Sequence, residues 1–283
     1  MKWLVYGSKG WIGGMVVSEL VKKGEQVVAA EARADQEDAV EQEIQAVQPD
    51  RIICLIGRTH GPGFSTIDYL EQKGKLVENV RDNLYSPVVL ALLGKKYGIH
   101  VTYLGTGCIF TYKDEERVFT EDDRPNFFGS GYSTVKGFTD RIMHFFSDST
   151  LNLRIRMPIV GYHHPRNFIT KITTYEKICS IPNSMTVLPD MIPILIQLAA
   201  DKKTGTLNLT NPGVISHNEI LALYKQHVDP SFEWKNFTLE EQAKILLSER
   251  SNNELDAGHL KDLVPSIKNI TESVEDLFKA WSH

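Results

Sequence analysis

The sequence predicts an α/β protein in which helices cover a doubly wound parallel sheet, followed by a smaller C-terminal domain that binds substrate. Over residues 1–156, short apolar runs alternate with stretches of helical apolar spacing, which is the rhythm of parallel strands joined by crossover helices. Glycines three residues apart follow the first run, as in the phosphate-binding turns of such sheets. From residue 158 onward, recurring prolines break the pattern into short elements, which predicts a separate covering domain.

The predicted strands and helices follow one another at regular intervals. Short apolar runs predict strands at 2–6, 25–30, 51–56, 100–105 and 151–156. Helical spacing predicts helices at 11–23, in an acidic segment that ends near 47, at 79–97 and at 131–146. We therefore expect a cofactor-binding domain at 1–156 and a mainly substrate-binding domain at 157–283. The stretch at about 205–213 is a candidate strand that returns to the main sheet.

Composition and charge exclude several classes of function. The net charge is −5, from 31 basic and 36 acidic residues, and no basic cluster suits nucleic acid or anionic lipid. The apolar stretch at 192–200 is too short to span a membrane. The three cysteines have no metal-ligand spacing, which predicts reduced thiols and no metal site. The N-terminus reaches glycine too soon for a signal peptide, so we expect a cytoplasmic protein.

The turn after the first strand predicts a dinucleotide site. Gly7, Gly10 and Gly13 lie between the first strand and the first helix, where glycine permits a tight turn and close approach of a diphosphate. The alternative is a turn that serves only helix–strand packing. Ligands of such sheets bind at the carboxyl ends of the strands. Further candidate cofactor contacts in the turn and at such ends are Trp11, Ile12, Gly57 and Met157.

The end of the second strand bears on the choice between NADP and NAD. An acidic residue there favours the ribose hydroxyls of NAD, whereas an arginine accommodates the phosphate of NADP. The chain has both, as Glu31 and Arg33. We expect NADP(H), because Arg33 can lie over the adenine and its phosphate. His60 follows the third strand near the predicted cofactor edge, and its role is open.

A hydroxyl, a phenol and an amine have the order needed to move a proton while a nicotinamide moves a hydride. Tyr132 and Lys136 lie one helical turn apart, and the lysine charge is expected to lower the tyrosine pKa. Lys136 can also bind the nicotinamide ribose. Thr106 ends the fourth strand and would polarise a substrate carbonyl together with Tyr132. Tyr69 and Lys73 have the same spacing, but they precede the fourth strand and have no such upstream hydroxyl.

Taken together, these residues resemble the extended short-chain dehydrogenase/reductase family. The resemblance implies a Rossmann domain and a nucleotide-sugar substrate held by the C-terminal region. Longer motifs are similar to those of the bifunctional 3,5-epimerase/4-reductases of this family, which act on UDP-4-keto-6-deoxyglucose in the synthesis of UDP-rhamnose. These motifs include GTGCIF at 105–110, RIRMP at 154–158, PRNFITK at 165–171 and RSNNELD at 250–256.

The resemblance also implies an acid/base pair, formed by Cys108 and Lys171. A 4-keto group acidifies the hydrogens at C3 and C5, so a base can remove each and an acid can return it on the opposite face. A thiol, with an ordinary pKa of roughly 8.5, suits either role. Cys108, Lys171 and Thr106 are therefore expected to contact the substrate. Arg166 and Asn167 are either polar residues at a helix start or pyrophosphate ligands, and we favour the ligand role for Asn167.

We therefore expect a bifunctional enzyme that converts UDP-4-keto-6-deoxy-D-glucose to UDP-β-L-rhamnose with NADPH. A single glycine turn implies that the preceding 4,6-dehydration takes place on a separate chain. Two alternatives remain: a reductase alone, of the dTDP-4-keto-rhamnose type, and a non-catalytic NADP-binding regulatory subunit. The intact set of Thr106, Tyr132 and Lys136 favours an enzyme. Helices 79–97 and 131–146 are a candidate face for a homodimer.

Overall fold

A computed structural model of the chain describes residues 1–112 and 117–281. Its strands are β1 (Lys2–Tyr6), β2 (Gln26–Ala29), β3 (Arg51–Cys54), β4 (His100–Thr106), β5 (Val118–Phe119), β6 (Thr150–Ile155), β7 (Pro158–Ile159), β8 (Thr186–Val187), β9 (Gly205–Asn208) and β10 (Glu254–Leu255). Six of them form one parallel sheet in the order β2-β1-β3-β4-β6-β9. The doubly wound parallel sheet predicted from the sequence is confirmed.

Helices cover the main sheet and build most of the C-terminal part. They are α1 (Trp11–Lys22), α2 (Glu37–Val47), α3 (Leu76–Val80), α4 (Ser86–Tyr97), α5 (Gly131–Met143), α6 (Phe168–Thr174), α7 (Leu188–Ala200), α8 (His217–His227), α9 (Leu239–Ala243), α10 (Gly258–Leu263) and α11 (Ile270–Lys279). A π turn at Arg81–Tyr85 joins α3 to α4. The helix predicted at 79–97 is therefore part of a longer helical run that begins at residue 76.

The strand order reverses at β1, whose neighbours are β2 and β3. The connections that leave β1 and β3 diverge to opposite sides of the sheet, since α1 packs in one core and α4 in the other, which opens a cleft at the carboxyl ends of these two strands. Open parallel sheets bind their ligands at such a point. Gly7 follows β1 and lies against the turn after β3, since a Cβ on Gly7 would be 3.0 Å from the carbonyl carbon of Leu55. We call this opening the cofactor cleft.

Alternation along β1 explains how the sheet buries both of its faces. Successive side chains of a strand point to opposite faces. Trp3 and Val5 enter the apolar core that contains α1 and α7, and Leu4 and Tyr6 enter the core beneath α2 and α4. All four side chains are at most 1% exposed. The central strands of the sheet are thus held by apolar packing from two sides.

The residues after 157 contribute to both parts of the molecule. β9 pairs with β6 in the main sheet, and α7 packs in the core beside α1. The rest encloses a separate apolar cluster built from α6, α8 and α11, and residues 282 and 283 lie outside the described residues. Across the described chain, no helix is long and apolar enough to cross a bilayer. The same residues contain no group of three His, Cys, Asp or Glu side chains suited to a metal ion.

A buried ion pair fixes α5 against the main sheet. The Arg154 guanidinium of β6 donates to both carboxylate oxygens of Asp140 of α5, at 2.9 and 2.8 Å, and neither residue is more than 4% exposed. Asn152 donates a third hydrogen bond to this carboxylate at 2.8 Å. Although burial alone raises it, these donors and the Arg154 charge hold the pKa of Asp140 far below its usual range.

Replacement of Asp140 by asparagine is expected to destabilise the protein by about 3–5 kcal/mol, because it leaves the buried Arg154 charge without a partner. The wild-type contribution is full above the unfolded carboxyl pKa of roughly 3.9 and is lost as the pH falls towards the depressed folded value. Urea unfolding at several pH values measures both effects. The matched control is Asp148→Asn, which breaks an exposed pair with Lys95 and should change little. Equal effects of the two substitutions would contradict the prediction.

Candidate active site

The glycine turn has the geometry that a dinucleotide diphosphate requires. Gly7 has a φ of 82°, in the left-handed region that favours glycine, and its carbonyl accepts from the Gly10 N–H at 2.9 Å. Gly13 lies so close to this turn that a Cβ on it would overlap the Gly7 carbonyl oxygen. The absence of side chains at these positions brings the start of α1 close to the turn, where backbone N–H groups favour an anion.

Trp11 and Ile12 begin α1 and differ in their surroundings. The Trp11 indole stacks on the His164 imidazole with ring centroids 4.8 Å apart and planes 6° apart. Its Nε1 is buried and has no hydrogen-bond partner among the described residues. Ile12 packs against the apolar core on this side of the sheet. The unpaired indole donor and the side-chain-free turn together fit a bound dinucleotide.

Glu31 and Arg33 are both exposed beyond the end of β2. The Glu31 N–H donates to Glu43 Oε1 at 2.6 Å, which orders the backbone here. The Arg33 guanidinium lies 3.0 Å from an Asp35 carboxylate oxygen and is 56% exposed, and Arg81 Nε approaches the same carboxylate at 4.0 Å. Two guanidinium groups therefore share the Asp35 carboxylate beyond the end of β2, and the expected preference for NADP over NAD stays a prediction.

Gly57 and Met157 lie beyond the ends of β3 and β6, next to unusual backbone geometry. The π turn supplies Asn83, which accepts from the Arg58 N–H at 2.9 Å and donates to the Arg58 carbonyl at 2.9 Å. Such turns often occur at functional sites. Met157 has a φ of 39°, a conformation that is rare and strained outside glycine. Cofactor contacts at Gly57 and Met157 stay predictions.

The strand β4 and the helix α5 bring Thr106 and Tyr132 together. These residues are 7% and 8% exposed, and the Thr106 hydroxyl lies close enough to the Tyr132 phenol to lower its pKa. The Cys108 N–H donates to Thr106 Oγ1 at 3.1 Å, so the thiol residue is tied to the same hydroxyl. Burial, followed by the Cys108 thiol, raises the pKa of Tyr132 by more than the Thr106 hydroxyl lowers it. The phenol is therefore protonated at neutral pH.

Lys136 has a different partner from the one that its spacing suggests. Its ammonium group donates to the hydroxyl of Tyr103 and lies 4.6 Å from the centroid of that ring. Burial lowers the pKa of Lys136 to about 8, against smaller raising effects of Cys54 and Asp140. The expectation that Lys136 lowers the pKa of Tyr132 is therefore wrong for this geometry, because desolvation dominates at both buried groups.

The second Tyr-x-x-x-Lys pair contributes a wall to the site. Tyr69 is buried and its hydroxyl donates to Glu78 at 2.8 Å, while Lys73 is exposed. The Tyr69 ring therefore packs in the apolar cluster with Leu70 and Tyr132, and its hydroxyl is directed to Glu78 and not to Lys73. The apolar wall around the Cys108 thiol comprises Phe64, Ile67, Tyr69, Leu70 and Tyr132.

Lys171 reaches the same wall from the C-terminal part. It lies in α6, is half-buried, and its Nζ donates to the Ser65 carbonyl at 3.2 Å. Ser65 is adjacent to Phe64 of the apolar wall that contacts Cys108. Burial, followed by the charges of Arg166 and Arg250, lowers the pKa of Lys171. The fold thus directs this amine towards the segment that borders the thiol.

Asn167 corrects a prediction made from the sequence. Its side chain is fully buried and caps α6, since Oδ1 accepts from the Ile169 N–H at 3.2 Å. Oδ1 also accepts from the Val160 N–H at 3.3 Å, and Nδ2 donates to the carbonyls of Val160 and Tyr162 at 3.0 and 2.8 Å. Every polar atom of the amide is used within the fold, so Asn167 acts as a structural cap in place of the expected ligand.

A buried polar network behind Cys108 was not identified from the sequence. Arg156 is 1% exposed and donates to the hydroxyl and the carbonyl of Ser251 at 3.0 and 2.8 Å. Asn253 donates to the Gly107 carbonyl at 3.0 Å. These contacts hold the loop that carries Cys108 against a segment more than a hundred residues later. The RSNNELD motif was the available signal, but its partners cannot be derived from spacing.

The parallel sheet, the glycine turn and the set of Thr106, Tyr132 and Lys136 agree with the family that the sequence matches. Residues 3–175 match the NAD dependent epimerase/dehydratase family, and the chain belongs to this family. The resemblance to extended short-chain dehydrogenases/reductases is thereby confirmed.

Three relatives are similar to this chain over almost its whole length. The crystal structure of the L780 UDP-rhamnose synthase from Acanthamoeba polyphaga mimivirus has a TM-score of 0.96 and 57% identity, over 99% of each chain. The bifunctional dTDP-4-dehydrorhamnose 3,5-epimerase/dTDP-4-dehydrorhamnose reductase of Arabidopsis thaliana is 41% identical, over 96% of this chain and 90% of that protein. The trifunctional UDP-glucose 4,6-dehydratase/UDP-4-keto-6-deoxy-D-glucose 3,5-epimerase/UDP-4-keto-L-rhamnose-reductase RHM1 of A. thaliana is also 41% identical, over 97% of this chain but 41% of that protein.

Substitutions at two neighbouring glycines should distinguish the position that packs on the turn, Gly13, from the exposed position next to it in α1, Gly14. Gly13→Ala is expected to destabilise the protein by about 1–3 kcal/mol and to abolish dinucleotide binding, because the new Cβ has to displace the Gly7 carbonyl. Gly14→Ala meets no atom of the described residues within 4 Å and should stabilise the helix by roughly 0.5–1 kcal/mol. Urea unfolding and dinucleotide titration measure the two effects. Wild-type binding by the Gly13 variant would show that close packing of the turn is not required.

Proposed function

We propose that this protein is a bifunctional 3,5-epimerase and 4-reductase that converts UDP-4-keto-6-deoxy-D-glucose to UDP-β-L-rhamnose with NADPH. The observation that carries the proposal is that Cys108 adjoins Thr106 and Tyr132 in one buried site. A thiol for carbon epimerisation and a hydroxyl set for carbonyl reduction can therefore act on one bound sugar. The name of the L780 relative supports UDP-rhamnose synthesis, and the names of the Arabidopsis relatives include both reactions.

The chain's own residues would hold the cofactor at two ends. The turn at Gly7, Gly10 and Gly13 would hold the diphosphate, and Arg33 would face the additional phosphate of NADP. When bound, the cofactor supplies the hydride that reduces C4 of the sugar. Lys136 would hold the nicotinamide ribose through its ammonium group.

The reduction requires a proton at the C4 oxygen. The hydroxyl groups of Thr106 and Tyr132 donate hydrogen bonds to the C4 carbonyl oxygen and polarise it. As hydride reaches C4, the oxygen becomes basic and takes the phenolic proton of Tyr132. The raised pKa of Tyr132 keeps that proton in place until the oxygen is basic enough to accept it.

The epimerisation precedes reduction, because it requires the 4-keto group. A base removes the proton from C3 or C5, the carbonyl oxygen carries the enolate charge, and an acid returns a proton to the opposite face. We assign Cys108 and Lys171 to these two roles. The lowered pKa of Lys171 makes its neutral, basic form more accessible near neutrality. A 4,6-dehydratase on a separate chain would supply the keto-sugar.

Tyr132→Phe should reduce the rate of keto-sugar reduction by about 10²–10⁴-fold, because it removes the proton donor and preserves the ring. The measurement is NADPH consumption with the epimerised keto-sugar, together with NADPH binding, which should persist. Tyr224→Phe is the control, since this buried ring packs on Phe278 and Trp281 in the C-terminal cluster. Full reductase activity in the Tyr132 variant would remove its assigned role.

Cys108→Ala should separate the two reactions. Exchange of solvent deuterium into C3 and C5 of the un-epimerised keto-sugar is expected to fall by about 10²-fold or more, whereas NADPH-dependent reduction of the epimerised keto-sugar continues. Lys171→Met should show the same split. Cys179→Ala, at a buried thiol outside the site, is the matched control. Normal deuterium exchange in the Cys108 variant would favour a reductase that acts alone.

A further inference from the structure

Residues 162–166, here called the strap, connect β7 to α6 and contact one wall of the cofactor cleft. The Tyr162 hydroxyl lies 3.7 Å from the Met15 sulfur. His164 stacks on Trp11 with centroids 4.8 Å apart. Both partners belong to α1, the helix that begins in the glycine turn. The strap is therefore seated against the wall that carries the predicted diphosphate site.

The other end of the strap reaches the opposite wall of the cleft. Arg166 Nη2 donates to His60 Nε2 at 2.5 Å, and His60 belongs to the segment after β3. Burial, followed by the charges of Arg166, Arg58 and Lys171, lowers the pKa of His60, so the neutral imidazole can accept from the guanidinium. The strap thus bridges both walls, with a cation between them.

No carboxylate in the described part of the chain pairs with Arg166. Its neighbours have carboxylate partners: Arg58 Nε lies 3.0 Å from Asp82, and Arg250 Nη2 lies 2.6 Å from Asp68. Within residues 1–112 and 117–281, Arg166 forms no ion pair, and its side chain contacts an imidazole that offers no negative charge. Burial and the nearby Arg58 charge lower the pKa of Arg166. A guanidinium in these surroundings is suited to bind an anion.

We propose that Arg166 and His60 form the second wall of an anion site that receives the diphosphate of the dinucleotide cofactor. The first wall is the glycine turn, where the Trp11 indole N–H is buried and has no partner among the residues that the structure describes. Phosphate oxygens would accept from donors on both walls. The inference rests on the proposed use of NADPH and extends it, because the strap becomes a cofactor-binding element that is contributed by the C-terminal part of the chain.

A diphosphate also occurs in the nucleotide-sugar substrate, so the two sources have to be distinguished. The contacts of the strap favour the cofactor, because Trp11 and Met15 lie on the helix that starts at the glycine turn. The sugar is assigned to the wall beside Cys108 and Lys171, and Lys171 reaches that wall through Ser65. Arg166 lies between these two regions and is exposed, so its replacement should leave the fold intact.

The test measures binding of NADPH and of UDP separately, without turnover. Arg166→Gln should raise the Kd for NADPH by about tenfold or more, the effect expected for loss of a charge-assisted hydrogen bond. The Kd for UDP should stay within twofold of wild type. Arg166→Lys keeps the charge and should recover part of the affinity. Arg124→Gln removes an exposed charge elsewhere and should change neither Kd.

Two results would overturn the proposal. An unchanged NADPH Kd in Arg166→Gln, with or without weaker UDP binding, would mean that the strap does not serve the cofactor. Equal weakening of both ligands would indicate a general effect of charge. Unfolding midpoints of all variants verify that the fold is retained. Because these are binding measurements, a wild-type protein that binds NADPH but fails to make UDP-rhamnose would refute the proposed function and leave the strap proposal intact.

Discussion

The attachment of α5 to the main sheet is the constraint on which the site depends. Asp140 of this helix is held by Arg154 of β6 through two hydrogen bonds of 2.9 and 2.8 Å. The same guanidinium lies 5.0 Å from the ring centroid of Phe110, in the loop that carries Cys108. Tyr132 and Lys136 precede Asp140 by two turns and one turn on the same buried face of α5. A single buried ion pair therefore sets the phenol, the amine and the thiol loop relative to one another.

Desolvation dominates the proton chemistry of this site. Burial raises the pKa of Tyr132 and lowers the pKa values of Lys136 and Lys171, and each shift favours the neutral form. A neutral phenol is a proton donor and a neutral amine is a base, so the directions match the chemistry of a 4-keto sugar. An unpaired charge lies farther out, at Arg166, where the diphosphate of a ligand would meet it. In the proposed function, buried groups therefore transfer protons and the exposed Arg166 binds an anion.

The sequence was sufficient for the fold class and for the order of the main elements over residues 1–156, and it proposed Thr106, Tyr132 and Lys136 as a site. These features are local, because they depend on the length of apolar runs, on a glycine turn after a strand and on the four-residue spacing of a helix face. The second Tyr-x-x-x-Lys pair, Tyr69 and Lys73, could also be rejected as a catalytic pair from its position before β4. Its proximity to the site could not be foreseen, because a packing role leaves no motif.

Only the tertiary structure decided which distant groups meet. The Lys136 ammonium group donates to the Tyr103 hydroxyl and does not lower the pKa of Tyr132. The Asn167 amide forms its hydrogen bonds within the fold. Arg166 meets His60 across 106 residues of chain. Such contacts depend on how separate elements pack. The resulting pKa values depend on how far each group is buried by its neighbours. The sequence by itself therefore determined the elements and the chemical types of the site, whereas packing decided the partners and the charge states, because desolvation and long-range contacts exist only in the folded chain.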